Sequence, residues 1–228
     1  MINHAEATAP PAQCSRWAQD CLVDGTAPAA ANGQPDLEML RLGKPLKCFT
    51  LVLTVDSVQR RILLGMKKRG FGANMWNGFG GKVDTTDAST ESAALRELQE
   101  ECGLVVPPHD LHRAGTLYFD FGSNKAIPQV FHVALYRIDW TPELAAAQPK
   151  DGPRGARAPY ETEEMRPQWF DWDKVPFDKM WDDDRLWFPW LLRREPFTAQ
   201  VWFDGEVPAM VRYVIDVERT GERMVGQA

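Results

Sequence analysis

Three glutamates, Glu97, Glu100 and Glu101, are crowded into five consecutive residues of the sequence. On a helix, residues three and four positions apart lie on one face, so these carboxylates would be neighbours. Each like-charged pair at this spacing costs about 0.2–0.5 kcal/mol, and only Arg96 offers a nearby positive charge to Glu100. The crowding is useful if the oxygens bind a divalent cation, and the alternative is an acidic surface.

A glycine-rich loop precedes the three glutamates. Gly78, Gly80 and Gly81 carry no side chain, so a ligand can approach their backbone closely. Lys82 follows them directly and would bring a positive charge to the same place. A glycine pair alone is weak evidence, but its position just before the glutamates favours a binding site over a plain surface.

The elements that must hold these residues are strands and helices mixed along the chain. A helix is expected from about Ser89 to Cys102, capped by Ser89 or Asp87, with an apolar stripe that packs against a sheet. Apolar patterns predict strands at "CFTLVLTV", "RILLGMK", "GTLYFDF", "QVFHVALYRI", "EMRPQWFDW", "AQVWF" and "RYVIDV", and a second helix at "MWDDDRLWFPWLLRRE". Without an internal repeat, this order predicts an α+β fold in a single domain.

The limits of this domain follow from changes in composition. Residues 1–44 are small and Pro-rich, so we expect a poorly ordered N-terminal extension before a domain at 45–220. Residues 141–160 are rich in Pro, Ala and Gly, which predicts a flexible insertion within the domain. Residues 221–228 are expected to be a C-terminal tail.

Composition also excludes several classes of function. The net charge of −6 provides no basic surface for a nucleic acid polymer, and no apolar run approaches the length of about 20 residues that a membrane span needs. The four cysteines show neither zinc nor disulfide-framework spacing, so a reducing compartment is expected. We therefore predict a monomer in the cytoplasm, with the nuclear and mitochondrial compartments left open.

The stretch from Gly81 to Leu104 resembles the Nudix box, G-x5-E-x7-R-E-U-x-E-E-x-G-U, with "RELQEECGL" as its second half. Further segments, "LLGMKKRGFG", "WNGFGGKV", "EMRPQWF" and "MWDDD", are similar to the branch of the Nudix family that hydrolyses oxidised purine nucleoside triphosphates. This resemblance implies a mixed β-sheet sandwiched between α-helices. The chain departs from the box in one place: it has one residue more between Gly81 and Arg96 and lacks the first Glu, which braces the loop in the family, with Asp87 the nearest carboxylate.

The resemblance implies a catalytic metal centre that uses Mg²⁺, with Mn²⁺ as an alternative. The implied metal ligands are the backbone carbonyl of Gly80 and the side chains of Glu97, Glu100, Glu101 and Glu164. The implied reaction is attack by water that releases pyrophosphate and a nucleoside monophosphate, and the proton acceptor is left open among Glu97, Glu101 and Glu164. Arg96 would hold a catalytic carboxylate by a forked ion pair. For Glu164 the alternative is a solvent-facing strand residue.

The resemblance also implies a site for a small-molecule nucleotide such as 8-oxo-dGTP or 2-hydroxy-dATP. Lys67 and Lys82 would contact the phosphates, although exposed loop lysines are an alternative. The resemblance assigns Asp183 and Asp184 to the purine. As a pair they could read its edge, because an ionised carboxylate only accepts hydrogen bonds while a protonated one also donates. The implied substrate contacts are Thr50, Lys67, Phe71, Asn77, Phe79, Gly80, Gly81, Lys82, Phe119, Phe121, Trp181, Asp182, Asp183, Asp184 and Trp187.

Aromatic side chains among these residues could form the walls of the site, since stacking of a base on an aromatic ring is worth about 1–3 kcal/mol. Phe119 and Phe121 occupy alternate positions of a predicted strand and would share one face, with Asp120 pointing away.

Two other functions remain open from the sequence. One is a Nudix hydrolase for a different diphosphate, which the joint presence of "NGFGG" and "WDDD" disfavours. The other is a nucleotide sensor whose altered box binds without turnover, which Asp87 and the additional loop residue keep open.

Overall fold

Nine strands form one mixed sheet in the part of the chain that the structure, a computed structural model, describes: residues 37–205 and 208–227. The strands are β1 (Leu46–Asp56), β2 (Arg61–Lys67), β3 (Trp76–Asn77), β4 (Leu111–Asp120), β5 (Val130–Asp139), β6 (Met165–Asp171), β7 (Phe197–Asp204), β8 (Ala209–Val217) and β9 (Arg223–Gln227). The α-helices are α1 (Thr90–Cys102), α2 (Pro142–Ala147) and α3 (Asp184–Arg193). Seven of the strands and the two longer helices therefore lie where the sequence patterns predict them, whereas β3 and β9 were not predicted.

The sheet opens between β1 and β2. The strand order is β3-β2-β1-β5-β4-β7-β8-β9, with β6 also paired to β2. Only residues 54–56 of β1 pair with β2, and β3 then pairs with β2 at Gly65 and Met66. On its other edge β1 runs parallel to β5 over ten residues, from Leu46 to Val55. Because β1 and β2 separate after the hairpin, the glycine-rich loop can pair with the freed edge of β1.

The two faces of the sheet are covered by different helices. On one face, Ala94, Leu98 and Cys102 of α1 pack with Val52 and other buried residues. On the other face, Trp187, Phe188 and Leu191 of α3 pack into the larger core with β1, β4, β5 and β7. Strands β1 and β5 are buried along nearly all their length, as expected for central strands covered on both faces. This is the sandwich that the family resemblance implied.

A buried arginine attaches α3 to the sheet. Arg137 of β5 is 3% exposed, and its guanidinium donates to the carbonyls of Leu191 (2.7 Å) and Leu192 (3.0 Å) at the C-terminal end of the helix. The same guanidinium donates to Asp139 at 2.7 Å. It therefore binds carbonyls at the end of the helix, of which that of Leu191 also accepts from the Arg194 N–H at 3.2 Å, and it fixes the helix that begins in the "WDDD" segment.

Residues 37–44 differ from the predicted poorly ordered extension, whose residues 1–36 lie outside the described part. A 3-10 turn at Glu38–Leu42 lies against the sheet, and Met39 is 1% exposed in a small core with Tyr118 and Val130. The prediction failed because this segment has little apolar periodicity and is held by tertiary contacts instead.

The insertion and the C-terminal tail also differ from the predictions. Within 141–160, α2 begins at a capping Thr141, Leu144 is buried, and the Gln148 side chain exchanges two hydrogen bonds of 2.9 Å with the backbone of Val105. The segment is therefore fixed to the domain rather than free. Within 221–228, β9 pairs antiparallel with β8 and extends the sheet. No helix in the described residues is long and apolar enough to cross a membrane.

Removing the Arg137 side chain should destabilise the fold far more than removing a neighbouring surface arginine. Arg137→Met leaves buried carbonyls and Asp139 without this donor, so we expect the free energy of unfolding in urea to fall by about 3 kcal/mol. Arg194→Met is the control, since Arg194 also pairs with Asp139 but is 61% exposed, and it should cost less than about 1 kcal/mol. Equal losses in the two variants would contradict the role given to Arg137.

Candidate functional site

The glycine-rich loop lies directly on β1. The Thr50 N–H donates to the carbonyl of Gly81 at 2.9 Å, and the Val52 N–H donates to that of Phe79 at 2.6 Å. Gly80 has φ +151°, and a Cβ built there would lie 2.2 Å from the Thr50 carbonyl oxygen. A side chain at Gly80 would therefore collide with the backbone of β1, so the loop requires glycine at this position.

Helix α1 brings Glu101 beneath this loop. The helix begins after Ser89, whose hydroxyl accepts from the Ser92 N–H while the Ser92 hydroxyl accepts from the Ser89 N–H, a reciprocal cap. Glu101 is 2% exposed, and its carboxylate accepts from the Gly80 N–H at 2.7 Å. Lys67 Nζ lies 3.5 Å from the same carboxylate. The loop, the helix and β2 thus converge on one buried glutamate.

The electrostatics of this cluster favour added positive charge. Burial raises the pKa of Glu101 to about 7, although Gly80 and Lys67 favour its ionised form, and Glu97 and Glu164 add repulsion. Burial also raises the pKa of Glu97, against the lowering effect of Arg96, with Glu100 and Glu164 adding to the rise. A cation among these carboxylates would therefore be stabilised by charges that otherwise repel one another.

Arg96 braces the loop through Asp87. Its Nε and Nη2 donate to the two oxygens of Asp87 at 3.0 and 2.9 Å, a forked pair that holds the pKa of Asp87 below its ordinary value. Asp87 also accepts from the Asp84 N–H at 2.8 Å. The sequence interpretation was wrong on one point: the fork holds Asp87, whereas Glu97 and Glu100 share only Nη1, at 2.9 and 3.1 Å. Asp87 thus braces the lengthened loop despite the missing Glu.

The four glutamates expected as metal ligands do not converge on one point in this arrangement. Glu100 is bound to Arg96 and Glu164 is paired with Arg69, and across the described ranges no three His, Cys, Asp or Glu side chains converge closely enough to hold a metal ion. Both side chains are well exposed and can turn inward. Glu97 lies so close to Gly81 that a Cβ there would be 2.6 Å from its carboxyl. Glu97 and Glu101 beside the Gly80 backbone therefore form an oxygen donor set that fits a hard divalent cation such as Mg²⁺.

A cavity of about 360 Å³ opens between β1, β4 and the start of α3. It reaches Gly80, Gly81 and Lys82 of the loop at one side and Asp183 and Asp184 at another. Trp181 stands at its wall, stacked on the half-exposed Phe71 at 5.1 Å between ring centroids. Predicted site residues that line it are Thr50, Lys67, Phe71, Asn77, Gly80, Gly81, Lys82, Phe119, Phe121, Trp181, Asp183 and Asp184.

The two aspartates lie buried at the cavity, 1% and 3% exposed. Burial raises the pKa of both Asp183 and Asp184. Trp187 Nε1 donates to Asp183 Oδ2 at 2.8 Å and favours its ionised form, while the charge of Asp183 raises the pKa of Asp184 further. Asp184 therefore keeps a proton more readily than Asp183. Within the described residues, Asp183 Oδ1 is buried with no hydrogen-bond partner, so it is open to a donor on a ligand.

Residues 48–191 of the chain match the family described as the NUDIX domain. The chain belongs to the NUDIX family. Relatives named "Oxidized purine nucleoside triphosphate hydrolase" are 45% identical over 159 residues in Danio rerio and 41% identical over 160 in Mus musculus, covering 70% of this chain and 88% of each relative. The fold of this chain is similar to that of the mutator MutT protein of Bacillus halodurans. The TM-score is 0.58 at 18% identity, and the match covers 75% of this chain and 97% of that one.

Three residues expected at the substrate site of this NUDIX protein lie elsewhere. Phe79 is fully buried in the α1 core, because Gly65 leaves room for its ring on the far side of the sheet. Asp182 is exposed outside the cavity, where it accepts from the Met210 N–H at 3.4 Å. Trp187 is buried behind Asp183 and fixes it through the indole N–H rather than lining the cavity.

The structure also adds cavity residues that the sequence reasoning missed. Phe131 is the cross-strand neighbour of Phe119, and Phe203 stacks on Phe121 at 5.4 Å between centroids. Alternation places each on a definite face of its own strand, but only the register between paired strands brings them together. The added lining residues are Phe49, Leu51, Gly72, Met75, Leu117, Phe131, Val133, Met165 and Phe203, and Gly78 of the glycine-rich loop lines the cavity as well.

Replacing Glu101 by Gln should stabilise the metal-free protein at high pH. The pKa of Glu101 in the folded protein, about 7, lies above the ordinary value of 4.5, so the folded state holds a proton that the unfolded chain releases between these values. The contribution of Glu101 to the stability of the wild type therefore falls as the pH rises from about 4.5 to 7, and a neutral Gln avoids this loss. In a chelator, we expect Glu101→Gln to be about 1–3 kcal/mol more stable than wild type at pH 8.

The same comparison at pH 4 is the internal control, because both proteins then carry a neutral side chain at this position and the difference should vanish. Urea unfolding at the two pH values measures it. A variant less stable than wild type at pH 8 would show that Glu101 is not destabilised by its burial.

Proposed function

We propose that this NUDIX protein hydrolyses oxidised purine nucleoside triphosphates, such as 8-oxo-dGTP and 2-hydroxy-dATP, to the monophosphate and pyrophosphate. One observation carries the proposal: a single cavity extends from a buried aspartate pair, suited to a purine edge, to Gly80 and Lys67, the two groups that contact the buried Glu101. The names of the two relatives support it. We further propose that it acts as a monomer in the cytoplasm.

The phosphate chain is assigned to the loop side of the cavity. Lys67 and Lys82 both line it there and offer positive charge, Lys67 beside Glu101 and the more exposed Lys82 beside Asp84 at 3.9 Å. A divalent cation held by Glu97 and Glu101, joined by the Gly80 carbonyl, Glu100 and Glu164, would neutralise charge on the leaving oxygens and orient water.

Glu101 is the favoured proton acceptor, because it is buried beside the Gly80 N–H and Lys67, whereas Glu164 is exposed and tied to Arg69. Arg96 contributes indirectly, because it holds Glu97 and fixes the loop through Asp87.

The purine is assigned to the aspartate side. Asp183, with its open Oδ1, accepts from a ring or amino N–H, and the protonated Asp184 donates to a carbonyl oxygen. Moving one proton between the two reverses this pattern, which would let one site accept oxidised guanine and oxidised adenine. The Oδ1 of Asn77 accepts from the Gly78 N–H at 2.8 Å, so its amide N–H groups are left to donate to the base. Trp181, Phe119 and Thr50 line the same space.

Steady-state kinetics with Mg²⁺ test the proposal. Pyrophosphate release from 8-oxo-dGTP or 2-hydroxy-dATP should show a kcat/KM at least about tenfold above that for dGTP, since a good set of base contacts is worth 1–3 kcal/mol. Glu101→Gln should lose more than about 100-fold in kcat while still binding nucleotide. Glu143→Gln, an exposed glutamate on α2, is the control and should retain full activity. Activity on dGTP equal to that on the oxidised nucleotides would refute the proposal.

Substituting the aspartates one at a time should change base preference rather than metal dependence. Asp184→Asn keeps a hydrogen-bond donor at the position of the protonated acid, so we expect it to retain activity on one oxidised purine and lose about tenfold or more on the other. Asp183→Asn removes the charge that accepts from the base and should raise KM for both substrates. The measurement is kcat/KM for 8-oxo-dGTP and 2-hydroxy-dATP across Mg²⁺ concentrations; a collapse of Mg²⁺ affinity in either variant would contradict the assignment.

A further inference from the structure

We propose that Lys44 is a positioning residue for the purine cavity and acts from the opposite face of the sheet. Lys44 and the turn before it, Glu38–Leu42, lie outside the part of the chain that matches the NUDIX family, which begins at residue 48. We name residues 38–44 the N-terminal brace. The inference rests on the proposed function, because it takes the cavity to be the place where the purine binds.

The end of β4 is the point at which Lys44 reaches the cavity wall. Phe119 and Phe121 line the cavity, and Asp120 between them faces the opposite side, where it is 5% exposed. Lys44 Nζ donates to Asp120 Oδ1 and also to the Gly122 carbonyl at 3.2 Å. The Lys44 ammonium group therefore binds the residues on both sides of Phe121, from the face of the sheet opposite the cavity.

The other end of the brace is attached to the neighbouring strands. The Met39 N–H donates to Gln200 of β7 at 3.1 Å, and Glu38 accepts from both terminal nitrogens of Arg212 on β8, at 2.7 and 3.0 Å. The Arg212 guanidinium in turn lies 4.3 Å from the centroid of the Trp202 ring. These contacts fix the brace across β7 and β8, so Lys44 is held by a structure rather than by a flexible tail.

Strands β4 and β7, which the N-terminal brace contacts, carry the aromatic side chains of the cavity wall on their other face. Phe121 follows β4 and Phe203 belongs to β7, and their rings are stacked at 5.4 Å with an angle of 14° between planes. Trp181 contacts Phe203 at 5.7 Å between centroids. A displacement of the end of β4 would therefore alter the spacing of the whole wall against which a purine stacks.

Losing Lys44 should produce such a displacement. Asp120 is a nearly buried carboxylate, and without a positive partner it gains solvation by moving toward water. That movement pulls Phe121 with it. The glutamates and Lys67 lie on other elements and keep their geometry, so substrate binding should weaken while the chemical step is preserved.

Lys44→Met in the full chain tests the proposal, with KM and kcat measured for 8-oxo-dGTP and dGTP in Mg²⁺. We expect KM for 8-oxo-dGTP to rise about fivefold or more, because the displaced aromatic wall stacks less well on the base, with kcat changed by less than about twofold. Lys44→Arg should restore KM, because Arg can also reach the carboxylate. Lys150→Met removes an exposed lysine of the insertion and should leave both constants unchanged.

A double-mutant cycle with Asp120→Asn separates positioning from general weakening of the fold. If Lys44 acts through Asp120, adding Lys44→Met to Asp120→Asn should raise KM little further, whereas additive effects would overturn the proposal. Glu38→Gln, which loosens the far end of the brace, should give a smaller rise in KM and serves as the second variant if Lys44→Met does not fold.

An unchanged KM in folded Lys44→Met, beside an active wild type, would overturn this inference alone. An equal loss of kcat for both nucleotides without a change in KM would do the same. Failure of the wild type to hydrolyse 8-oxo-dGTP would instead overturn the proposed function, and this inference with it.

Discussion

The rest of the site depends on how closely the backbone of Gly80 approaches strand β1. A Cβ at this residue would lie 2.2 Å from the Thr50 carbonyl, and the same residue donates its N–H to Glu101. One residue therefore connects the sheet to helix α1, and its neighbours reach the cavity on the other face. The sheet allows this because β1 and β2 separate after a short hairpin and leave an edge free for the loop.

The two ends of the cavity share one physical design. At each end, carboxylates are buried with fewer partners than their charge requires, so their pKa values are raised: Glu97 and Glu101 near the loop, Asp183 and Asp184 near α3. Such groups cost folding free energy, and perturbed titration concentrates at functional sites. The surrounding structure offsets this cost in folding free energy, since the aspartates are fixed by Trp187 and by a helix that Arg137 anchors. The carboxylates at the two ends of the cavity are thus held in place by a packed apolar core.

Local patterns predicted the elements and the spacing of the glutamates, because helix caps, apolar alternation and the i, i+3, i+4 geometry are properties of short segments. They failed where the outcome depends on contacts distant in sequence. Phe131 and Phe203 join the cavity only through strand register, and Phe79 turns away because Gly65 on another strand makes room for it. The fork between Asp87 and Arg96 crosses a loop whose path no local pattern sets. The 37–44 segment and β9 were missed for a related reason: each is held by partners far along the chain.

The parallel pairing of β1 with β5 has a consequence for how the molecule forms. Leu46 is paired with Val130, so the centre of the sheet cannot assemble until a segment of roughly eighty residues has been closed into a loop, which slows folding. That loop contains the glycine-rich segment, helix α1 and β4. Every residue that lines the cavity thus lies either within this loop or after it in the sequence. The nascent chain therefore has no site for a nucleotide until its C-terminal half has been synthesised.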